Sequence, residues 1–476
     1  MRIITADLEN ARITDEVFER DSFSSPGGTG LAAEYLAQRS LAAGPGQFPL
    51  VFATGLFAGT RLTSSNILSM GWVDPSGALR TPVFGGDAGR RLTDHGVKLL
   101  SFEGSAPDWV YLHVDAQGQV SLRDARSLAG RGTAALAERL RELHGKRSSV
   151  ICIGPCGTDL FGTSCLMVTD ADPSVPPRQA AGAGMGRAMG ERRLLAVVTE
   201  HSPRPFSVSF TPGENERFGE LCRVINSAIA EDSLTGSKLP LFGPLPGAQA
   251  PASGWSALLG YRNDTAPSSA SNWRDKIISS GGYCAVPCMP GCTVRCSGRI
   301  PGSDGRSSPA AVDCGTALDF GSATGIFDIS AISRIERVCA DHGCDLSMTG
   351  RILGELVKTG VLGFGDSRGA LRILSGMFSE DSPFREMFAG PSQDDTGDPV
   401  IESPLSRGYE PRSAEERAPL CFMCIYPWRA VSASPEAAGA FGELCSLMGW
   451  PCGDAASDAE ELLRKSEGKI ASLLSR

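Results

Sequence analysis

Tyr283-Cys284-Ala-Val-Pro-Cys288-Met-Pro-Gly-Cys292-Thr-Val-Arg-Cys296 sets four thiols into one short run, and Leu420-Cys421-Phe-Met-Cys424 adds two far downstream. Soft thiolates select zinc, copper(I) and iron–sulfur clusters. Several thiolates from one loop, closed by a remote one, can wrap an iron–sulfur cubane. Pro287, Pro290 and Gly291 interrupt any continuous helix here, since proline lacks the N–H and its ring clashes with the preceding turn. A loop lets the thiols converge on a point, whereas a helix would spread them along one drifting face. The spacing C-x3-C-x3-C-x3-C differs from the x2 gaps of ferredoxin motifs and from the paired C-x2-4-C of structural zinc. A cluster is the first reading; zinc and plain buried thiols stay open beside it.

The elements that must position these thiols change character along the 476 residues, a length sufficient for two or three domains with cores of their own. Arg2–Leu8 and Arg12–Phe18 read as an opening hairpin across Glu9-Asn10-Ala11. Leu50–Gly55, Lys98–Phe102, Trp109–Val114, Val120–Leu122, Ser149–Ile153 and Leu194–Thr199 are short β-branched or apolar runs. Gly30–Arg39, Gly85–His95 and Thr133–His144 carry helical periodicity between them. After Phe327 the pattern turns helical, over Ile329–Asp341, Ser347–Thr359, Ser367–Met377, Ser434–Met448 and Ala459–Leu474, with Asp328 and Ser434 as N-caps. Leu239–Ser271 and Ser392–Arg417 read as connections. The expected fold class is α+β: a β-rich domain over residues 1–203, a middle domain with the cysteine loop over 204–326, and a helical domain over 327–476.

Charge and composition exclude some partners. A net charge of −9 argues against nucleic acid, which needs a basic face. No apolar stretch approaches a membrane span. The opening has neither a positive leader nor an apolar h-region, so the expectation is a cytoplasmic protein whose 15 cysteines are reduced. Two glycine clusters invite a phosphate reading. Gly182-Ala-Gly184-Met-Gly186-Arg-Ala-Met-Gly190 follows Pro173, Pro176, Pro177 and Arg178 where a dinucleotide fingerprint needs a strand, and no window fits G-x-G-x-x-G. Close helix packing is its plainer use. Gly85-Gly86-Asp87-Ala-Gly89-Arg90-Arg91 opens a helix whose free N–H groups suit either an anion or water.

In this order the motifs resemble the aldehyde:ferredoxin oxidoreductase family. The similar stretches are Gly27-Gly28-Thr29-Gly30, Ala53-Thr-Gly55-Leu-Phe-Ala-Gly59-Thr60, Gly85-Gly86 through Phe102-Glu103-Gly104, and Ile153-Gly154-Pro155-Cys156-Gly157. They continue with Gly184-Met-Gly186-Arg-Ala-Met-Gly190, Cys288-Met-Pro-Gly-Cys292, Cys339-Ala-Asp341-His342-Gly343-Cys344-Asp345 and Tyr409-Glu-Pro-Arg412. The resemblance implies two β-sheets forming a pterin platform, helical domains enclosing the metal, and tungsten or molybdenum between two pterins beside a [4Fe–4S] cluster. The family oxidises an aldehyde to a carboxylate with oxygen from water and passes electrons singly through the cluster to ferredoxin. It implies Cys284, Cys288, Cys292 and Cys421 as cluster ligands, with Cys296 and Cys424 as surplus thiols able to substitute. It implies Asp313 as the acid/base group, and Gly184, Gly186, Gly343 and Asp345 along the pterin.

The departures from the family pattern are as specific. Ala340 stands for the leading Asp of the first pterin motif, Glu416 and Pro419 alter the second, Gly182 replaces a phosphate-side Arg and Val83 an Asn near the bridging magnesium. A deletion between Arg412 and Leu420 removes the family's active-site His and a pterin-contacting Lys. None of His95, His113, His144, His201 and His342 takes that place, and only His342 lies inside a cofactor motif. Three readings follow: a shortened metallopterin oxidoreductase acting on a small aldehyde, a pterin-free iron–sulfur electron-transfer or accessory subunit, and a scaffold that binds neither. A homodimer or a place in a larger redox complex is compatible with the first two.

Overall fold

The computed structural model describes residues 1–19, 22–43, 48–74, 77–173, 175–181, 184–242, 270–300, 320–321, 323–379, 381–390 and 414–474. Asp313, Gly182, Arg412 and most of both connections expected from sequence lie outside them. Within them the chain is α+β, with two mixed sheets in the N-terminal region and a mainly helical C-terminal region. No helix among the described residues is long and apolar enough to cross a membrane.

The first sheet begins with the hairpin β1 (Arg2–Asp7) and β2 (Arg12–Val17), where Ala11 turns the chain at a φ of 51°. It continues through β7 (Val97–Glu103), parallel to β1, then β3 (Leu50–Thr54) and β4 (Leu68–Val73), with β5 (Leu79–Arg80) and β6 (Val83–Phe84) both paired to β4. The second sheet runs β12 (Arg178–Ala181), β11 (Leu166–Val168), β10 (Ser149–Cys152), β13 (Leu194–Thr199), β8 (Val110–Val114), β9 (Val120–Asp124). Strands β3, β10 and β13 are buried along their whole length, which is why their sequences are continuous apolar runs rather than alternations. One core joins both sheets, from Ile4, Phe52 and Phe102 to Leu112, Val150 and Val197. Phe52 anchors it with edge-on contacts to Phe84 and Phe102, ring centroids 6.5 and 6.0 Å apart.

The short strand β12 corrects the sequence reading of its glycine cluster. A strand does precede the glycines, because the prolines at 173, 176 and 177 end before Arg178, whose N–H and those after it are free to pair with β11. The helix Pro212–Glu231 was also not expected. Its signal was a Thr211/Glu214 capping box followed by Phe218, Leu221, Cys222, Ile225 and Ile229 on one buried face. Gly213 and Gly219 weaken that signal, being poor helix formers.

Carboxylate and hydroxyl caps fix the later helices. Asp328 accepts from Ala331 N at 2.8 Å, Asp345 from Met348 N at 2.8 Å, Asp366 from Gly369 N at 2.8 Å, and Ser434 from Ala437 N at 3.3 Å. The C-terminal helices fold back onto the first sheet. Ala455–Leu474 packs on Gly28–Ala43, and Leu56, Phe57, Phe422, Phe441 and Leu463 share one core. The Ala418–Cys421 turn is pinned at the start of the Gly28–Ala43 helix. Thr29 Oγ1 donates to Arg417 O at 2.7 Å, Leu56 N donates to Cys421 O at 3.0 Å, and Arg417 Nε donates to Thr81 Oγ1 at 2.9 Å.

Gly28 makes that approach possible. Its φ is 51°, and a Cβ there would sit 2.3 Å from Leu420 O. Gly28→Ala combines left-handed strain with a backbone clash, and should cost roughly 2–4 kcal/mol. The urea midpoint of the anaerobically purified chain checks this; a shift no larger than that of a surface Ala substitution would contradict the packing.

Candidate metal centre

The cysteine loop enters from β14 (Tyr283–Val286), turns through Pro287–Gly291 and leaves in β15 (Ser297–Arg299), antiparallel to β14. The turn is nailed to the first sheet by its backbone: Gly86 N donates to Cys288 O at 2.8 Å and Asn66 Nδ2 donates to Pro290 O at 2.8 Å. Gly85 leaves the room, since a Cβ there would meet Cys288 O at 2.8 Å. Of the N–H groups that suited either an anion or water in the sequence, that of Gly86 is thus taken up by protein. Asp87 N likewise donates to Thr169 O, and Arg90 and Arg91 pair with Asp94.

Four thiols lie in this neighbourhood: Cys288 stands beside Cys292 and Cys296, and Cys424 is near enough to Cys288 and Cys292 to feel their charge. All four are buried. Ser64 joins the two ends of the set, donating from Oγ to Cys292 Sγ at 3.3 Å and accepting Cys424 N at its carbonyl at 3.0 Å. It does so in the left-handed region, φ 56°, as Arg295 does at 52°. Such strain costs of order 1–3 kcal/mol and persists where surrounding contacts over-determine it.

Two of the cysteines expected as ligands have other neighbours. Cys284 is half-buried in β14 and packs on a different core, the one around Ile277 and Phe320. Cys421 is buried, and its Sγ faces Thr29 Oγ1 at 3.5 Å and the Gly30 backbone. Cys296 and Cys424 are the thiols near Cys288 and Cys292, while β14 carries Cys284 and the Ala418–Cys421 turn sets Cys421 against the Gly28–Ala43 helix.

Three comparisons bear on this arrangement. Residues 3–201 match the aldehyde ferredoxin oxidoreductase N-terminal domain. A tungsten-containing aldehyde ferredoxin oxidoreductase of Thermococcus kodakarensis is 27% identical over 161 residues, 33% of this chain and 24% of that protein. The active site complex BamBC of benzoyl coenzyme A reductase, solved with 1,5-dienoyl-CoA, superposes with a TM-score of 0.65 at 19% identity, over 92% of this chain and 65% of its own. The chain resembles the aldehyde ferredoxin oxidoreductase family, as a divergent relative. Its match spans about a quarter of the curated relative's length, and the likeness to the reductase complex is one of fold.

The family implies a [4Fe–4S] cluster, and one buried residue tests whether the thiol set fits it. Arg178, in β12, is fully buried; Nη2 pairs with Asp170, while Nε and Nη1 have no hydrogen-bond partner among the described residues. Burial lowers its pKa, and the groups that raise it again begin with Cys288 and include Cys296. Arg299 stands 3.6 Å from Asp170 and also has an orphaned Nε. Each unsatisfied buried N–H costs about 1–3 kcal/mol. An anionic group held by the four thiolates would relieve that cost, so the residues fit a cluster.

The pterin side fits less well. Asp345 caps its helix through Oδ1 and accepts from Gln179 Nε2 at 2.7 Å through Oδ2, so both oxygens are engaged within the protein. Gly343 ends the preceding helix at a φ of 67° and packs on Gly154. Gly186 packs on Cys165 O, where a Cβ would come within 2.8 Å, and Gly184 caps the same short helix at φ 79°. Val83 is fully buried in β6 and offers no polar atom. His342 lies against Phe378, ring centroids 4.5 Å apart, with its pKa lowered by burial. None of these described positions offers a cationic side chain to a pterin phosphate. Beneath this motif Cys344 contacts Cys156 and Cys339, with Thr349 Oγ1 3.2 Å from its sulfur. The two thiol contacts hold the Cys344 thiol below the ordinary range.

Ser64, Arg178 and Arg299 were not anticipated from sequence. Their roles come from long-range packing, and the only local trace is the Pro176-Pro177-Arg178 entry into β12.

The thiols themselves predict a pH response. Contact with Cys292 pulls the Cys288 pKa down, but contact with Cys296 and burial outweigh it, and the thiol is pushed up from 9.0 to about 12. Burial also raises Cys424 well above its ordinary value. Between those values the unfolded chain binds fewer protons than the folded one, so the metal-free chain loses stability as pH rises through this window. The slope is at most about 1.4 kcal/mol per pH unit for each thiol. With metal bound the thiolates are already deprotonated, and stability should instead fall as pH falls. Urea midpoints of reduced, metal-free chain across alkaline pH check the sign; a rise would contradict the burial.

Proposed function

We propose that this chain is an iron–sulfur oxidoreductase of the aldehyde ferredoxin oxidoreductase type, with a [4Fe–4S] cluster held by Cys288, Cys292, Cys296 and Cys424. The observation that carries the proposal is the nearness of four buried thiols to Arg178, whose Nε and Nη1 have no partner among the described residues. Such a cluster takes up and releases single electrons. The chain's part is to exclude water, hold four thiolates and balance their charge with Arg178 and Arg299. The fuller activity is oxidation of a small aldehyde to its carboxylate, with ferredoxin as electron acceptor and tungsten or molybdenum bis-pterin as the second cofactor. In that form Asp313 is the acid/base group and Gly184, Gly186, Gly343 and Asp345 border the pterin.

A second reading has a specific observation behind it. The engaged carboxylate of Asp345 and the apolar Val83 favour a pterin-free electron-transfer subunit of a larger redox complex. The reductase chain of similar fold is itself part of an active site complex. Metal analysis separates the two. Anaerobically purified chain with stoichiometric tungsten or molybdenum, reducing a viologen with an aldehyde, supports the enzyme; iron and sulfide with neither metal nor pterin support the subunit.

Serine substitutions test the ligand set. Serine at Cys288, Cys292, Cys296 or Cys424 should abolish or strongly reduce the broad visible absorption and the bound iron, while serine at Cys284 or Cys421 should leave both. Loss at Cys421 with retention at Cys424 would return the ligand set to the family spacing. Ser64→Ala removes a hydrogen bond to a ligand sulfur and Arg178→Met a positive charge, both of which favour the reduced, more negative cluster. Each should lower the reduction potential, as read by redox titration of the visible band; an unchanged potential in both would place the cluster elsewhere.

A further inference from the structure

The chain holds five histidines, and three of them contact one residue, Glu200. His113 Nε2 lies 2.8 Å from Glu200 Oε1, His144 Nδ1 lies 3.5 Å from the same oxygen, and His95 Nε2 meets the Glu200 carbonyl at 2.9 Å. This cluster belongs to the second sheet, within the N-terminal region and outside the cysteine centre. His113 is on β8, Glu200 follows the neighbouring parallel strand β13, and His144 is the last residue of the helix Thr133–His144.

We propose that His113, His144 and Glu200 form a binding site for a divalent transition metal of the zinc class. The three ligand atoms lie within 4.8 Å of one another. Two ligands bound to zinc at about 2.0–2.1 Å and at a tetrahedral angle stand about 3.3 Å apart, and the two nitrogen–oxygen separations bracket that value. Imidazole nitrogen with one carboxylate oxygen is the donor set zinc takes in sites with an open fourth position. Here the open side faces solvent, since the Glu200 and His144 side chains are 21% and 12% exposed against 7% for His113.

The surrounding groups prepare the ligands. His144 Nε2 and Tyr111 OH are 3.0 Å apart, so a proton on Nε2 shared with the phenol leaves the Nδ1 lone pair for the metal. Metal-bound histidines are oriented by such a second contact. Burial, with His113 beside it, lowers the His144 pKa, and the neutral ring is the form that ligates. The imidazoles lie 3.9 Å apart between centroids, a close approach for two rings that would repel if both were charged. His113 Nδ1 is buried and has no partner among the described residues. Without metal the Glu200 carboxylate keeps the proton on Nε2; a metal at Nε2 would displace it, and Nδ1 is the ring position that can take it. Glu200 Oε2 is held by Ala116 N at 3.0 Å, which leaves Oε1 for the metal. A cation here also sits at a helix C-terminus, where the backbone carbonyls favour positive charge.

Thiols elsewhere in the chain would bind zinc too, so the test uses cobalt(II), whose spectrum reports its ligands. Added to the anaerobically purified, iron-loaded chain after chelator treatment, cobalt(II) should fill one equivalent with weak visible bands and no thiolate-to-cobalt charge transfer. His144→Gln and Glu200→Gln should each lose that equivalent while keeping the wild-type iron content and thermal midpoint without metal. Tyr111→Phe should weaken it by roughly 10–100-fold, and Cys288→Ser should leave it intact. Cobalt bound only with thiolate charge transfer, or bound equally by the wild type, His144→Gln and Glu200→Gln, overturns the proposal. So does the absence of any bound equivalent in the wild type.

Discussion

Everything around the cysteine centre depends on one backbone contact, the Gly86 N–H donated to the Cys288 carbonyl. It fixes the turn against the first sheet at a point where Gly85 leaves no side chain in the way. Once the turn is fixed, Cys292 falls beside Ser64, and the same serine receives the Cys424 N–H on its carbonyl. Two segments far apart in sequence thus meet over a strand-and-turn framework laid down by the first hundred residues. The strain at Ser64 and Arg295 is tolerated because these contacts leave the backbone no cheaper path.

The charge distribution beside the centre follows from the same placement. Strand β12 is short and lies at the edge of its sheet, and successive side chains along a strand point to opposite faces. Arg178 turns towards the cysteines while Gln179 turns towards Asp345. One dipeptide therefore connects the cysteine side of the molecule with the helix Leu346–Lys358. Asp170 is shared between Arg178 and Arg299, and Arg299 also meets Asp172 at 3.5 Å.

Much of the fold was legible because it is local. The helix Thr133–His144 matches its periodicity residue for residue, and Asp328 and Ser434 cap the helices they were expected to cap. The buried strands β3 and β13 announced themselves as apolar runs. Boundaries failed where glycine or proline blurred the pattern, as before β12 and along Pro212–Glu231. Cys288 and Cys292 flank the turn that the prolines require, but which other thiols come near them depends on tertiary contacts that no spacing encodes. The orientation of Arg178 is of the same sort, decided by which sheet edge its strand joins.

The return of the C-terminal helices onto the Gly28–Ala43 helix also orders events in time. The ribosome releases the loop with Cys288, Cys292 and Cys296 well before Cys424, and the segment bearing Cys424 is held by the Ala418–Cys421 turn. Three thiols of the gathering exist on the nascent chain while the fourth has not been made. Contacts of such sequence separation form late, because the loop-closure entropy must be met first. A chain made only as far as Cys296 lacks the Cys424 thiol and the Ser64 contact that Cys424 makes.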